Sequence, residues 1–214
     1  MKYKAAVFDL DGTILDTLED LHEALNVSLR TYGFPERTTE ETRRFVGNGI
    51  RRLVELGVPA GTPEEQIGSV FDTFNLYYAE HCRDHTGPYE GISDLITKVR
   101  ACGLQTAVVS NKSDYAVQDL CSFYFPGLFD FALGVTERIR KKPAPDMVEE
   151  ALLKMHVNKE DAVYIGDSEV DLMTAENTGM ECITVLWGFR SEDQLTNAKI
   201  FVKNTEQLFA EITK

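Results

Sequence analysis

Positive charge is scarce in this sequence. It carries 22 lysines and arginines against 35 aspartates and glutamates, a formal net charge of −13 over 214 residues. Such a chain repels phosphate backbones and anionic lipid, so neither a nucleic-acid nor a membrane partner is expected. Cysteine is sparse too. Cys82, Cys102, Cys121 and Cys182 are widely and unevenly spaced and form no CxxC pair, which argues against a zinc site and a disulfide framework. Free, mostly buried thiols in a reducing cytoplasm are the simplest reading. His22, His81, His85 and His156 show neither metal-ligand spacing nor a triad partner. No apolar run has the length of a membrane span, and no signal-peptide core follows Met1-Lys2-Tyr3-Lys4, so no secretory signal is expected. Repeats and low-complexity segments are absent.

What is present describes an ordinary globular protein. Hydrophobic residues make up 43% and charged residues 27%. A single domain of this length buries roughly 70% of its unfolded surface and needs no staple. Short apolar runs recur at Ala5-Ala6-Val7-Phe8, Thr106-Ala107-Val108-Val109, Ala162-Val163-Tyr164-Ile165 and Cys182-Ile183-Thr184-Val185-Leu186. They read as buried strands of a parallel sheet. Phe129-Asp130-Phe131-Ala132-Leu133 and Ile200-Phe201-Val202 are further candidates. Helical spacing separates most of them, as in Ile92, Leu95, Ile96 and Val99 or Met147, Val148, Ala151, Leu152 and Met155. Strands alternating with helices imply a three-layer α/β domain with right-handed crossovers.

Residues 16–88 break that rhythm with helical patterns only. Leu18, Leu21, Leu25, Leu29 and Tyr32 make one stripe; Ile67, Val70, Phe71, Phe74, Tyr77 and Tyr78 make another. A shorter helix around Ile50–Leu56 sits between them. Asp16 or Thr17 is expected to cap the first helix, with Glu19 or Asp20 three positions on. The expected organisation is an α/β core of residues 1–15 and 89–214 with a small helical cap domain, 16–88, inserted as a lid.

Open α/β sheets bind ligands at the carboxyl ends of their strands. After the first strand come Asp9 and Asp11, which can face one site if the backbone bends at Gly12, though Asp11-Gly12 can also be a plain turn. After the second come Ser110 and Asn111. A hydroxyl and successive N–H groups there can hold an anion, and a simple Ser-Asn turn is the alternative. Pro143 and Pro145 stiffen the strut that presents Lys142, and pattern alone does not separate it from Lys141. Gly166-Asp167 follows a further strand, and Asp171 shares a helical face with Asp167. N-capping by Asp167 or Ser168 needs no metal. Three carboxylates at strand ends would repel one another without a cation, and oxygen-only donors favour Mg²⁺ over zinc.

Asp9-Leu10-Asp11-Gly12-Thr13, Ser110-Asn111, Lys142-Pro143 and Gly166-Asp167-Ser168-Glu169-Val170-Asp171 resemble, in order, the four motifs of the haloacid dehalogenase-like hydrolases. The likeness spans nearly the whole chain and implies a Rossmann-like core. A helical insert after the first motif resembles the subclass with a helical cap. Arg44-Phe45-Val46-Gly47-Asn48-Gly49, Pro88-Tyr89-Glu90-Gly91-Ile92 and Trp187-Gly188-Phe189-Arg190 look most like the phosphoglycolate phosphatases within it.

The resemblance implies that Asp9 is the nucleophile of an aspartyl-phosphate mechanism and Asp11 the general acid and base. It implies Mg²⁺ held by Asp9, the Asp11 carbonyl and Asp167. Ser110, Asn111 and Lys142 would bind phosphate, with Gly12, Thr13 and Asp171 in support. Basic residues cluster at Arg43, Arg44, Arg51 and Arg52 and again at Arg138, Arg140, Lys141 and Lys142. Asn48 and Arg52 are the preferred substrate contacts of the cap. The implied substrate is a small phosphorylated metabolite, with 2-phosphoglycolate foremost, for a monomer or homodimer. A sugar-phosphate mutase of the β-phosphoglucomutase kind, a pyrophosphatase and a catalytically silent phosphometabolite-binding regulator are the alternatives.

Overall fold

A buried strand must pair on both edges, so the short apolar runs assemble into one sheet. A computed structural model of the protein describes residues 2–214. The chain opens with β1 (Ala5–Phe8), buried throughout, and a two-residue strand, β2 (Leu15–Asp16). Four helices follow: α1 (Leu18–Thr31), α2 (Thr39–Phe45), α3 (Ile50–Gly57) and α4 (Glu64–His81). Strand β3 (Gly87–Pro88) pairs with β2. Alternation then resumes with α5 (Ile92–Ala101), β4 (Gln105–Ser113), α6 (Asp114–Tyr124), β5 (Phe131–Val135) and α7 (Asp146–Met155). The chain ends with β6 (Ala162–Gly166), α8 (Glu169–Thr178), β7 (Glu181–Val185), β8 (Ile200–Val202) and α9 (Thr205–Ile212).

Six strands form the main sheet in the order β5-β4-β1-β6-β7-β8, every described pairing parallel. The order reverses at β1, the switch point of a doubly wound sheet. Phe8 stands opposite Val108 on one side and Ile165 on the other, so the segments after β1 and β6 and the end of β4 leave at one edge. Alternation splits the core. Ala5, Val7, Ala107, Val109 and Tyr164 pack with Met147, Val148 and Ala151 of α7. Phe8 points the other way and meets Phe129 edge-on, with ring centroids 6.2 Å apart. Each buried Val, Phe or Met among them contributes about 1.5–3 kcal/mol by leaving water.

The residues divide into two compact units, Met1–Leu15 with Pro88–Lys214, and Asp16–Gly87. In the helical unit, Leu21, Leu25, Val70, Phe74 and Tyr78 are buried. The Phe74 and Tyr78 rings stack with centroids 5.5 Å apart. Among the described residues, no helix is long and apolar enough to cross a membrane.

Four local features differ from the sequence reading. Thr17 stands at the N-cap of α1 without a side-chain cap bond, and Asp20 is no capping partner. Instead the Asp20 carboxylate accepts the N–H groups of His85 and Thr86, both at 2.9 Å, and pins the unit's return segment. Helix α2 went unread because it has no apolar stripe; it starts on a reciprocal Thr38–Glu41 capping box. Strand β4 runs on through Ser110-Asn111-Lys112 rather than turning there, with a register shift against β5. Strand β5 likewise begins two residues later than the apolar run suggested.

Candidate active site

Asp9 leaves β1 with its N–H donating to the Ile165 carbonyl at 2.9 Å, so the sheet itself positions it. Gly12 then turns the chain with φ +84°, where an added Cβ would lie 2.5 Å from Asp167 Oδ2. The turn brings Thr13 back, and its hydroxyl donates to Asp167 Oδ1 at 3.2 Å. The segment after β7 completes the cradle. Trp187 Nε1 donates to the Thr13 carbonyl at 3.0 Å, and the Phe189 N–H donates to Asp167 Oδ2 at 2.7 Å. Gly188 lies between them, where any side chain would collide with the Gly12 carbonyl and Asp167.

Lys142, and not Lys141, enters the site. It is 1% exposed, and its ammonium lies 2.7 Å from Asp9 Oδ1 and 2.8 Å from Asp171 Oδ1. It also donates to the Tyr164 hydroxyl at 3.0 Å. Tyr164 donates to Asp171 at 2.9 Å, while Ser168 donates to Asp171 Oδ2 through its hydroxyl at 2.6 Å and its N–H at 3.1 Å. Asp171 is therefore no solvated neighbour; it is fully buried and holds Lys142 in place. Asn111 braces the same lysine, its side-chain amide donating to the Lys142 carbonyl at 3.0 Å. That is where the structure puts the Asn111 side chain expected at the phosphate.

Asp11 is held by β4. Lys112 Nζ lies 2.8 Å from Asp11 Oδ1, and Ser110 Oγ is a distant 3.4 Å from Oδ2. Lys112 is 3% exposed. Neither Lys112 nor Tyr164 was singled out from sequence. The signal for Lys112 was there, since residues two apart on a strand share a face and Ser110 was already chosen.

The electrostatics follow from burial. Desolvation, reinforced by Asp171, lifts the Asp9 carboxyl well above its usual range despite Lys142. Burial and Asp171 push Asp167 up to about 7. Burial opposes ionisation of Asp171 as well, but the Lys142 charge and the Lys142, Ser168 and Tyr164 hydrogen bonds outweigh it and lower its pKa. Lys112 pairs with Asp11 and the single Lys142 ammonium is shared by Asp9 and Asp171, so the buried carboxylates of Asp9, Asp167 and Asp171 outnumber the lysine that contacts them. Oxygens of Asp9, Asp167 and Asp171 lie within 4.8 Å of one another. This donor set fits a hard divalent cation. Asp171 is already engaged by Lys142, Tyr164 and Ser168, so Asp9 and Asp167 are the carboxylates available to it.

Several other basic residues have acidic partners of their own. Arg140 pairs with Asp146 at 2.8 Å, and Lys141 is exposed. In the helical unit, Asn48 sits in the turn before α3. Arg52 pairs with Glu55 at 3.0 Å, and Arg43 and Arg44 pair with Glu40 at 3.6 and 3.3 Å.

A strand-end carboxylate, a second carboxyl two residues on, a buried lysine and a further strand-end aspartate pair form a set of groups suited to phosphoryl transfer. Residues 6–185 match the haloacid dehalogenase-like hydrolases, and the chain belongs to that family. It is a phosphatase similar to the phosphoglycolate phosphatases. The phosphoglycolate phosphatase of Rhodobacter capsulatus is 32% identical over 204 residues, covering 92% of this chain and 91% of its own. That of Aquifex aeolicus is 28% identical over 187 residues, covering 87% and 86%. A candidate phosphoglycolate phosphatase from Lactobacillus delbrueckii superposes with a TM-score of 0.95 at 42% identity, covering 99% of both chains. CbbY from Rhodobacter sphaeroides, solved with xylulose-1,5-bisphosphate, has a TM-score of 0.73 at 26% identity over 95% of both. Phosphatases of this family generally use a divalent metal.

Proposed function

We propose that the protein hydrolyses small phosphomonoesters, 2-phosphoglycolate foremost, through a phosphorylated Asp9. The observation that carries this reading is the asymmetry of the Asp9 carboxylate. Oδ1 accepts both Lys142 Nζ at 2.7 Å and the Leu10 N–H at 2.7 Å. Those two donors orient the group and leave Oδ2 to attack phosphorus. As the ester bond breaks, Asp11 gives a proton to the departing alkoxide. Asp11 then takes a proton from the water that attacks the aspartyl-phosphate, and inorganic phosphate leaves with Asp9 regenerated. Ser110 and Lys142 stabilise the non-bridging oxygens, and Asp171 with Tyr164 keeps Lys142 aimed. Mg²⁺, held by Asp9, Asp167 and the Asp11 carbonyl, would offset the repulsion between the nucleophile and a phosphate dianion.

The curated relatives that cover most of the chain support phosphoglycolate as substrate. Substrate selection by Asn48 and Arg52 and residence in the cytoplasm belong to the same reading. The four free cysteines support the latter.

The test is phosphate release from 2-phosphoglycolate, a hexose phosphate and pyrophosphate, with Mg²⁺ and with EDTA. Metal-dependent release that prefers 2-phosphoglycolate and falls roughly 10³-fold or more in Asp9→Asn supports the proposal. Preference for pyrophosphate replaces the substrate and keeps the mechanism. Isomerisation of a hexose phosphate without phosphate release makes the enzyme a mutase.

A further inference from the structure

We infer that Lys112 reads a negative charge on the leaving alcohol, so that the enzyme favours short phosphomonoesters bearing a carboxylate next to the ester oxygen. This rests on the catalytic reading above and names the feature of the substrate that the α/β unit itself selects.

Three observations lead there. Lys112 is buried, with a side chain only 2% exposed, although a lysine at a surface strand end costs nothing to leave in water. Its ammonium is 2.8 Å from Asp11 Oδ1. It lies on the same face of β4 as Ser110, whose hydroxyl accepts the Lys112 N–H at 3.2 Å. A buried cation is thus placed beside the group that meets the ester oxygen, and apart from Lys142, which serves Asp9 and Asp171.

The geometry sets what Lys112 can reach. Asp11 must come within about 2.6–3.2 Å of the ester oxygen to protonate it. In 2-phosphoglycolate the carboxylate is bonded to the carbon that carries that oxygen, so its oxygens lie roughly 3 Å from it. Rotation about the bond between that carbon and the ester oxygen can therefore swing the substrate carboxylate toward Lys112. Charge balance favours the exchange. Once Asp11 turns to the ester oxygen, Lys112 needs another anion, because a buried ammonium without counter-charge is costly. A substrate carboxylate supplies it. A neutral alcohol does not, and the enzyme must then keep Asp11 on Lys112 or expose the lysine to water.

The experiment compares kcat/KM for 2-phosphoglycolate and for ethyl phosphate, its neutral analogue, in wild type, Lys112→Met and Lys112→Arg. The readout is the ratio of the two substrates within each enzyme. Lys112→Met lowers the preference for 2-phosphoglycolate by roughly 10–100-fold, the worth of a hydrogen bond to a charged group, and Lys112→Arg retains most of it. A lysine that only held Asp11 would depress both substrates equally. An unchanged ratio in Lys112→Met therefore overturns the inference while phosphoglycolate hydrolysis stands. No release from either ester by wild type overturns both. Should Lys112→Met fail to fold by circular dichroism, product inhibition of wild type decides. Glycolate must inhibit ethyl phosphate hydrolysis far more strongly than glycolamide, and equal inhibition overturns the inference.

Discussion

The two units use charge differently. In the α/β unit, Lys142 and Lys112 are buried and meet carboxylates 29 and 101 residues away along the chain. In the helical unit, Arg43, Arg44 and Arg52 pair with a glutamate three or four positions off on the same helix, and the Arg52 side chain is 52% exposed. The first arrangement is made by the sheet and is expensive to break. The second is made by helical spacing and contributes little, since exposed pairs of this kind are worth about 0.3–0.5 kcal/mol. Charge is thus buried where the sheet gathers distant carboxylates and exposed where helical spacing supplies the partner.

Removing the central cation should show the largest effect. Lys142→Met leaves Asp9 and Asp171 buried without their shared partner and should cost about 3–5 kcal/mol in urea denaturation, with loss of phosphate release. A loss below about 1 kcal/mol would erase the contrast between the units.

Glycines with positive φ offer a second comparison. Gly12→Ala should cost about 2–3 kcal/mol, because backbone strain adds to a methyl 2.5 Å from Asp167 Oδ2, and activity should fall at least tenfold. In the helical unit, Gly61 has φ +86° with nothing within 4 Å, so Gly61→Ala should cost only the strain, about 1 kcal/mol, by thermal melting. Equal losses would mean that the space around Gly12 is not tight.

Asp130 tests pairing between elements away from the site. Arg100 lies 2.6 Å from its carboxylate and the Thr106 N–H 2.8 Å. Burial opposes ionisation, but these donors outweigh it and lower the pKa. A carboxyl whose folded pKa is depressed stabilises above its unfolded value, about 3.9, and loses that contribution as pH falls through the folded value. Asp130→Asn should therefore be less stable than wild type by about 1 kcal/mol at pH 7, with the gap closing below pH 4. A gap that persists at pH 3 would point to lost packing instead.

The smallest effect belongs to Arg52→Ala, under about 0.5 kcal/mol in the same denaturation assay. A raised KM for 2-phosphoglycolate without lost stability would sharpen the contrast by making Arg52 functional though exposed. An unchanged KM would remove Arg52 from substrate selection.

Much of the site was legible because strand ends are legible. Apolar runs that stop at Asp9, Ser110 and Gly166-Asp167 announce where a parallel sheet presents polar groups, and Gly12 marks the turn. Asp171 was legible as a support through the family resemblance, whereas Asn111 was read at the phosphate and not as a brace, since its hydrogen bond to the Lys142 carbonyl depends on which segments the fold brings together. Trp187-Gly188-Phe189 was visible as a segment, yet its hold on Thr13 and Asp167 needs a chain reversal that no local pattern encodes. Helix α2 escaped for a simpler reason: one phenylalanine in seven residues makes no stripe.

The sequence by itself determined the class of fold, the inserted helices and the carboxylates, because hydrophobic periodicity and strand-end position are local properties of the chain. Only the tertiary structure decided that Lys142 rather than Lys141 turns inward, that Lys112 faces Asp11, and that Asp171 serves a lysine. Each of those outcomes is the pairing of a buried charge with a partner brought near by the strand order around β1. Burial makes the pairing obligatory, and the strand order chooses the partner.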